Sequence, residues 1–473
     1  MPTLSIQSLM QSSNVGFGTS GARGLVSDMT DQLCYAYTRA FLQAVVGKAG
    51  PVVVGHDLRP SSPRMAAACA AAIRDAGYTV IYAGALPTPA LAYNALTLKA
   101  PCLVVTGSHI PFDRNGLKFY RADGEISKDD EGLMRAAEVD VPSIIAPFDL
   151  TRVDTHAKNA YVDRYVHFFG KAALSNMRVA VYEHSSVARD VLREILEALG
   201  ATVISLGRTD TFVPIDTEAV RPEDLAQARA WANEHAFDAI LSTDGDGDRP
   251  LIGDETGEWF RGDVVGVLCA QYLKAETVVT PVSSNTAVEL CGAFLEVIRT
   301  RIGSPYVIAG MAKAKGQTVV GYEANGGFLL GSDVLGESEN LSALPTRDAV
   351  LPMLALLCMA REQGVALSSL KLTLPARYTA SDRLQAFESE KSARILRQLS
   401  QDLSLAFRSL APDAGELLHK NEVDGLRLTF KNGDIVHLRP SGNAPELRCY
   451  AESDSAEKAQ ALCDGALKWV AGR

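Results

Sequence analysis

Short apolar runs alternate with stretches whose apolar residues recur every three or four positions, and this rhythm repeats along most of the chain. Residues 51–55 (PVVVG) make an apolar run of strand length. Ser61 and Ser62 then offer caps, Pro63 suits a first helical turn, and 65–76 is helix-forming up to Gly77. Residues 79–83 predict a second strand, 86–96 (LPTPALAYNAL) a second helix and 102–106 a third strand. That βαβαβ order predicts a parallel or mixed sheet covered by helices.

The pattern restarts with a strand at 178–182, followed by Val187, Val191, Ile195 and Leu199 at helical spacing up to Gly200. Strand, helix and strand follow at 201–206, 222–235 and 239–242. A third round predicts a helix at 264–272, a strand at 277–280, a helix at 287–294 and a strand at 318–320. The last hundred residues read differently. Residues 366–378 look like a linker entering a strand, and one long charged helix follows. Strand-like runs at 426–430 and 435–440 flank Asn432-Gly433, which predicts a hairpin, and a last helix begins near Ser455. The expected fold class is α/β. Three related mixed-sheet α/β units at 1–150, 151–254 and 255–366 precede a smaller α+β unit at 367–473.

Composition narrows the function. The 473 residues carry 46 basic and 56 acidic side chains, a formal net charge of −10. This balance argues against nucleic acid or an anionic membrane as the main partner, while leaving room for a local basic pocket that takes a small anion. The N-terminal residues lack a basic segment followed by an apolar core, and no window approaches the ~18 apolar residues of a membrane span. Eight dispersed cysteines without a CxxC pair read as small buried hydrophobes rather than a disulfide framework or zinc site. A reduced, cytoplasmic enzyme is expected; oligomeric state is not legible.

Five strings carry chemistry. Asp244-Gly-Asp246-Gly-Asp248-Arg249 places three carboxylates at alternate positions, on one side if the segment is extended, and glycines between them let the oxygens converge on a hard cation such as Mg²⁺. Glu255 falls at the twelfth position of an EF-hand loop, but Arg249 stands where that loop needs glycine, and the flanks are strand-like. The second string, Thr106-Gly-Ser108-His109-Ile-Pro, with Lys118 beyond, lies just past a strand end, where open α/β sheets bind ligands. A Ser-His-Asp triad is disfavoured there, because adjacent residues of an extended chain face opposite ways and no GxSxG elbow exists.

The third string, residues 16–21, matches GxGxxG without a preceding buried strand or following helix. It reads instead as a flexible loop bringing Arg23 to an anion. In the fourth, Glu323 and Asn325 among glycines suit paired hydrogen bonds to vicinal sugar hydroxyls. The fifth, Arg439-Pro-Ser441-Gly442-Asn443 with Arg448 beyond, gathers donors fit for a phosphate.

Taken in this order, the five strings resemble the α-D-phosphohexomutase superfamily, with DGDGDR and RPSG as the most specific parts. The resemblance implies four domains around a central cleft and an intramolecular phosphotransferase. It implies Ser108 as the phosphoryl carrier, and Mg²⁺ held by Asp244, Asp246, Asp248 and a phosphoserine oxygen. Arg23 and Arg249 would stabilise charge, with His109 and Lys118 beside the reacting hydroxyl and either one the general base. Glu323 and Asn325 would grip the sugar, and Arg439, Ser441, Gly442, Asn443 and Arg448 the phosphate that is not reacting. The cycle passes through a hexose 1,6-bisphosphate, which also serves as activator.

Departures from the usual strings (TGSHIP for TASHNP, Asn325 for serine, SGNAP for SGTEP) bear on substrate preference rather than reaction class. YEANGG and SHIP look most like bacterial phosphomannomutases serving GDP-mannose biosynthesis. Glucose and glucosamine phosphates are the alternative substrates, and a sugar-phosphate phosphatase is a further alternative.

Overall fold

The computed structural model describes residues 2–18, 21–336, 339–411, 413–441 and 445–473. Three mixed sheets share one plan. In the first, Thr79–Ala85, Pro51–His56 and Cys102–Val105 run parallel in that order, and Arg114–Arg121 adds antiparallel to the last. Beyond it lie Ala22–Leu25 and Gly16–Phe17. The second sheet repeats the plan with Thr202–Leu206, Arg178–Tyr182, Ala239–Thr243 and antiparallel Pro250–Asp254. The third repeats it with Glu296–Thr300, Thr277–Pro281, Val319–Tyr322 and antiparallel Phe328–Leu330, then adds Leu344–Asp348. A fourth sheet is antiparallel throughout, in the order Tyr378–Leu384, Leu447–Ser453, Ile435–Pro440, Leu426–Phe430, Leu417–Asn421.

The core is divided unevenly. One continuous apolar cluster joins Val53 and Leu91 to Tyr161, Ile195, Leu268 and the helix Val350–Gln363, so the three α/β units share an interior. The fourth unit encloses its own cluster around Leu399, Phe430, Leu438 and Val470. Among the described residues, no single helix is long and apolar enough to cross a membrane.

Local chemistry shifts several expected elements. The helix Ser62–Asp75 starts at its serines, but neither hydroxyl caps it: Ser62 Oγ donates to Asp57, and Ser61 Oγ accepts from Asn115. The helix expected at 287–294 is only Ala287–Leu290, because Gly292 turns left-handed at φ +64°. The single charged helix is two, Ser389–Gln401 and Leu403–Leu410. Asp402 leaves helical geometry, and its carboxylate accepts from Leu405 N at 2.8 Å, restarting the chain as an N-cap. The linker holds a 3₁₀ turn, Leu367–Thr373.

Candidate active site

The repeated sheet plan has a consequence for placement. In each α/β unit, the connection from the third parallel strand to its antiparallel neighbour carries one string: 106–113 with Ser108, 244–249 with the aspartates, 323–327 with Glu323 and Asn325. Carboxyl ends of parallel strands are where open sheets gather ligands. The fifth string also joins adjacent antiparallel strands, Ile435–Pro440 and Leu447–Ser453.

Ser108 is wholly buried and left-handed at φ +53°, a conformation that costs a non-glycine residue about 1–3 kcal/mol. Its Oγ donates to Asp244 Oδ2 at 2.6 Å. The extended geometry on which the triad argument rested is therefore absent, and His109 Nδ1 comes to 3.4 Å from the same Oγ. That nitrogen also accepts from Arg249 Nη1 at 2.8 Å, since a guanidinium can only donate. Arg249, then burial, pulls the imidazole's pKa down to about 3.

The aspartates converge by turning rather than by extension. Asp244 Oδ1 accepts from the backbone N–H of Asp248 and of Arg249, both at 3.2 Å, while Gly247 at φ +69° closes the bend. One carboxylate oxygen from each of Asp244, Asp246 and Asp248 lies within 4.8 Å of the others, all buried. Asp246 Oδ2 accepts from Thr88 Oγ1 at 2.7 Å and Lys118 Nζ at 2.6 Å; Asp248 Oδ2 accepts from Lys118 Nζ at 2.6 Å and Arg347 Nε at 3.1 Å. The second oxygens of Asp246 and Asp248 are buried without a hydrogen bond.

Burial, then the charges of Asp246 and Asp248, push the Asp244 carboxyl well above the usual carboxylate range. Hard oxygen donors converging on one point, two of them with buried oxygens that lack a hydrogen bond, fit a divalent cation. Glu255, the EF-hand candidate, accepts from Ser368 instead.

Lys118 is placed differently from a free base. Burial alone would lower its pKa, but Asp246 and Asp248 outweigh it and hold the ammonium above the usual lysine value. Arg23 sits on the strand Ala22–Leu25 rather than on a flexible loop. Burial, then repulsion from Arg249 and Arg347, lowers its pKa to about 10, so three guanidinium groups crowd a site suited to an anion.

Glu323 meets this cluster through Arg347, whose Nη1 lies 3.3 Å from Glu323 Oε2. Asn325 Oδ1 accepts from Gly327 N at 2.9 Å, shaping its own loop. On the fourth sheet, Arg439 and Arg448 are cross-strand partners. Arg439 Nε pairs with Asp424 at 2.9 Å, and Ser441 N donates to Glu446 O. Gly442 and Asn443 lie outside the described residues. Among the described residues, no hydrogen bond or ion pair joins Arg439 or Arg448 to the Ser108 cluster.

The structure adds residues the strings did not contain: Arg347 bridging Asp248 and Glu323, Thr88 on Asp246, and Arg59 beneath Ser108. The available signal was a charged pair inside an otherwise apolar stretch, as in LPTRDAV and VVVGHDLRP.

Comparison with known proteins covers the chain. Family models for the α/β/α domains I, II and III of phosphoglucomutase/phosphomannomutase match residues 14–137, 159–257 and 261–378, and the C-terminal domain model matches 380–468. A phosphomannomutase of Salmonella muenchen is 48% identical over 455 residues, covering 95% of this chain and 94% of its own. One from Sinorhizobium fredii is 44% identical over 465 residues, covering 94% and 96%. The solved structure of a phosphoglucomutase/phosphomannomutase family protein from Burkholderia thailandensis superposes with a TM-score of 0.75 at 20% identity, covering 96% and 97%.

Proposed function

The chain belongs to the phosphoglucomutase/phosphomannomutase family, and we propose that it interconverts mannose 1-phosphate and mannose 6-phosphate through a phosphoserine at position 108. It is a phosphohexomutase, an isomerase that moves a phosphoryl group within one sugar. The observation that carries the reading is the meeting of Ser108 Oγ with Asp244 at 2.6 Å inside a buried triad of carboxylates. Mannose as the sugar rests on the two phosphomannomutase relatives.

Labour divides among the expected units. Residues 1–150 supply Ser108, His109, Lys118 and Arg23, and 151–254 supply Asp244, Asp246, Asp248 and Arg249. Residues 255–366 supply Glu323 and Asn325 for the sugar hydroxyls. Residues 367–473 supply Arg439, Ser441, Gly442, Asn443 and Arg448 for the distal phosphate. The three aspartates and a Ser108 oxygen would hold Mg²⁺. When bound, it neutralises charge on the transferring phosphoryl group, which is most of what phosphoryl transfer requires.

The chain's own groups do the rest. Arg23 and Arg249 offset charge on the phosphoryl oxygens, and His109 and Lys118 stand beside the hydroxyl whose proton must leave. The sugar then carries phosphate at both ends, turns over against Arg439 and Arg448, and returns the other phosphoryl to Ser108. A trace of hexose 1,6-bisphosphate would recharge a dephosphorylated enzyme. A cytoplasmic setting, with a small-molecule sugar phosphate as partner and neither nucleic acid nor membrane, completes the proposal.

The test is ³¹P NMR with Mg²⁺ and a trace of the bisphosphate, facing mannose, glucose and glucosamine 1-phosphates in turn. Fastest appearance of mannose 6-phosphate is expected, with EDTA stopping it and Mg²⁺ restoring it. A glucose or glucosamine preference would replace the substrate, and inorganic phosphate alone would replace the reaction.

A further inference from the structure

Arg59 is among the largest wholly buried side chains, and it lies outside every string that carries the chemistry above. Its five N–H donors are all used. Nε pairs with Asp57 Oδ2 at 3.2 Å, and Nη1 donates to the carbonyls of Pro111 at 2.7 Å and Arg114 at 3.0 Å. Nη2 donates to the carbonyls of Ser108 at 2.9 Å and Ile110 at 2.6 Å. One guanidinium therefore collects four carbonyls of the nucleophile loop. Asp57 holds the same loop from its entry side, accepting from Thr106 Oγ1 at 2.8 Å and Gly107 N at 3.3 Å.

Two further contacts tie this post to the neighbouring unit. The Phe212 ring centroid lies 4.0 Å from Arg59 Cζ. A Cβ on Gly245, inside the aspartate turn, would come within 2.8 Å of Ser108 O and 3.2 Å of the Phe212 ring. On the loop side, a Cβ on Gly107 would fall 2.6 Å from Arg59 Cζ.

We propose that Arg59 is the positioning residue of the nucleophile: by gathering the loop carbonyls against Phe212, it imposes the left-handed conformation of Ser108 and so aims Oγ at the aspartate turn. The observation behind it is an otherwise unfavoured φ of +53° at the serine whose carbonyl the guanidinium grips. The inference rests on Ser108 being the phosphoryl carrier. Arg59 touches no reacting atom, so its loss should lower kcat while leaving the sugar-binding loops, and hence KM, in place.

The experiment compares wild type, R59K, F212A and the double variant, by steady-state kinetics on mannose 1-phosphate and by intact mass for phosphoryl occupancy after bisphosphate treatment. Lysine keeps the charge toward Asp57 but cannot fork to four carbonyls. R59K is expected to lose about 100-fold in kcat, the scale of a 1 Å misplacement, with KM within about threefold. F212A, which removes the ring the guanidinium rests on without removing a donor, should lose kcat in the same sense. The double variant should fall no further than R59K, because both changes act on one contact.

If R59K does not fold, F212A carries the test alone. A kcat within about threefold of wild type in either single variant, or losses that simply multiply in the double, would overturn the proposal. Wild-type protein that carries no phosphoryl on Ser108 would instead overturn the reading of the nucleophile.

Discussion

Burial sets the chemistry of single side chains here, and His437 is a simple case far from the aspartates. Its Nε2 meets the Asp424 carbonyl at 2.6 Å, while Nδ1 is buried without a partner. Burial lowers its pKa to about 4, against which the Asp424 contact only partly works. The folded state thus binds fewer protons than the unfolded chain between about pH 6.5 and 4, so stability is complete above that window and falls as pH drops through it. The loss integrates to about 3 kcal/mol. Urea unfolding of H437Q at pH 7 and pH 4 should show a drop smaller than wild type by that order, and parallel drops would refute the burial argument.

Residue types announce chemistry more readily than geometry. DGDGDR and Ser108 were legible because clustered carboxylates and an unusual serine loop are rare without a task. The left-handed turn at Ser108 was not legible, because it is imposed by Arg59 from 49 positions away. Arg347 was hidden for a related reason: its partners Asp248 and Glu323 are distant in sequence, and only folding makes the bridge.

Elements were legible where one face is wet. The helix Arg189–Ala198 carries the expected period, whereas the strand Arg178–Tyr182, buried on both faces at Val179, Ala180 and Val181, was legible only as a short apolar run. The helix Val350–Gln363 was not predicted, because eleven of its residues, Val350 through Ala360, are buried and no polar stripe marks a face. The antiparallel strand that follows the functional loop was missed in the first and third α/β units, since the loop's polar residues mask the return, while the strand-like residues after Arg249 announced Pro250–Asp254 in the second. One helix start is coupled directly to the sugar loop. A Cβ on Gly262, at the first residue of Gly262–Tyr272, would lie 2.2 Å from Gly326 N and 2.5 Å from Ala324 O. Both are backbone atoms, so G262A must shift the helix or the loop, at a cost of about 1–3 kcal/mol. Raised KM for the sugar phosphate with normal phosphorylation of Ser108 is expected from kinetics and intact mass; an unchanged KM would separate the loop from sugar binding.

At the scale of the molecule, polar contacts among the described residues join the fourth unit to the third. Thr286 donates to Glu452 from its backbone N at 3.2 Å and from Oγ1, Arg377 Nε donates to Thr286 Oγ1 at 3.2 Å, Asn285 Nδ2 donates to Arg377 O at 2.7 Å, and Ile302 N donates to Asp424 at 2.9 Å. The fourth unit has an apolar core of its own, and Ser108 and Asp244 are fully buried, so under the mutase proposal a sugar phosphate reaches them only when the cleft opens. A looser closure admits water, which would capture the phosphoryl group. Under the mutase proposal, R377A should release more inorganic phosphate per turnover than wild type, measured by coupled phosphate assay. An unchanged ratio would mean that this contact does not control closure.

The central claim is that Ser108 carries the phosphoryl group that moves between the two ends of the sugar. It is tested most directly by treating wild type and S108A with hexose 1,6-bisphosphate and Mg²⁺, mapping phosphoryl mass to peptides, and following mannose 1-phosphate turnover in the same samples. Wild type should carry one phosphoryl on the peptide containing Ser108, and S108A should lose both that mass and turnover by about 10³-fold or more. An S108A enzyme that still isomerises at near wild-type rate, or a wild-type phosphoryl mapped elsewhere, would contradict the account.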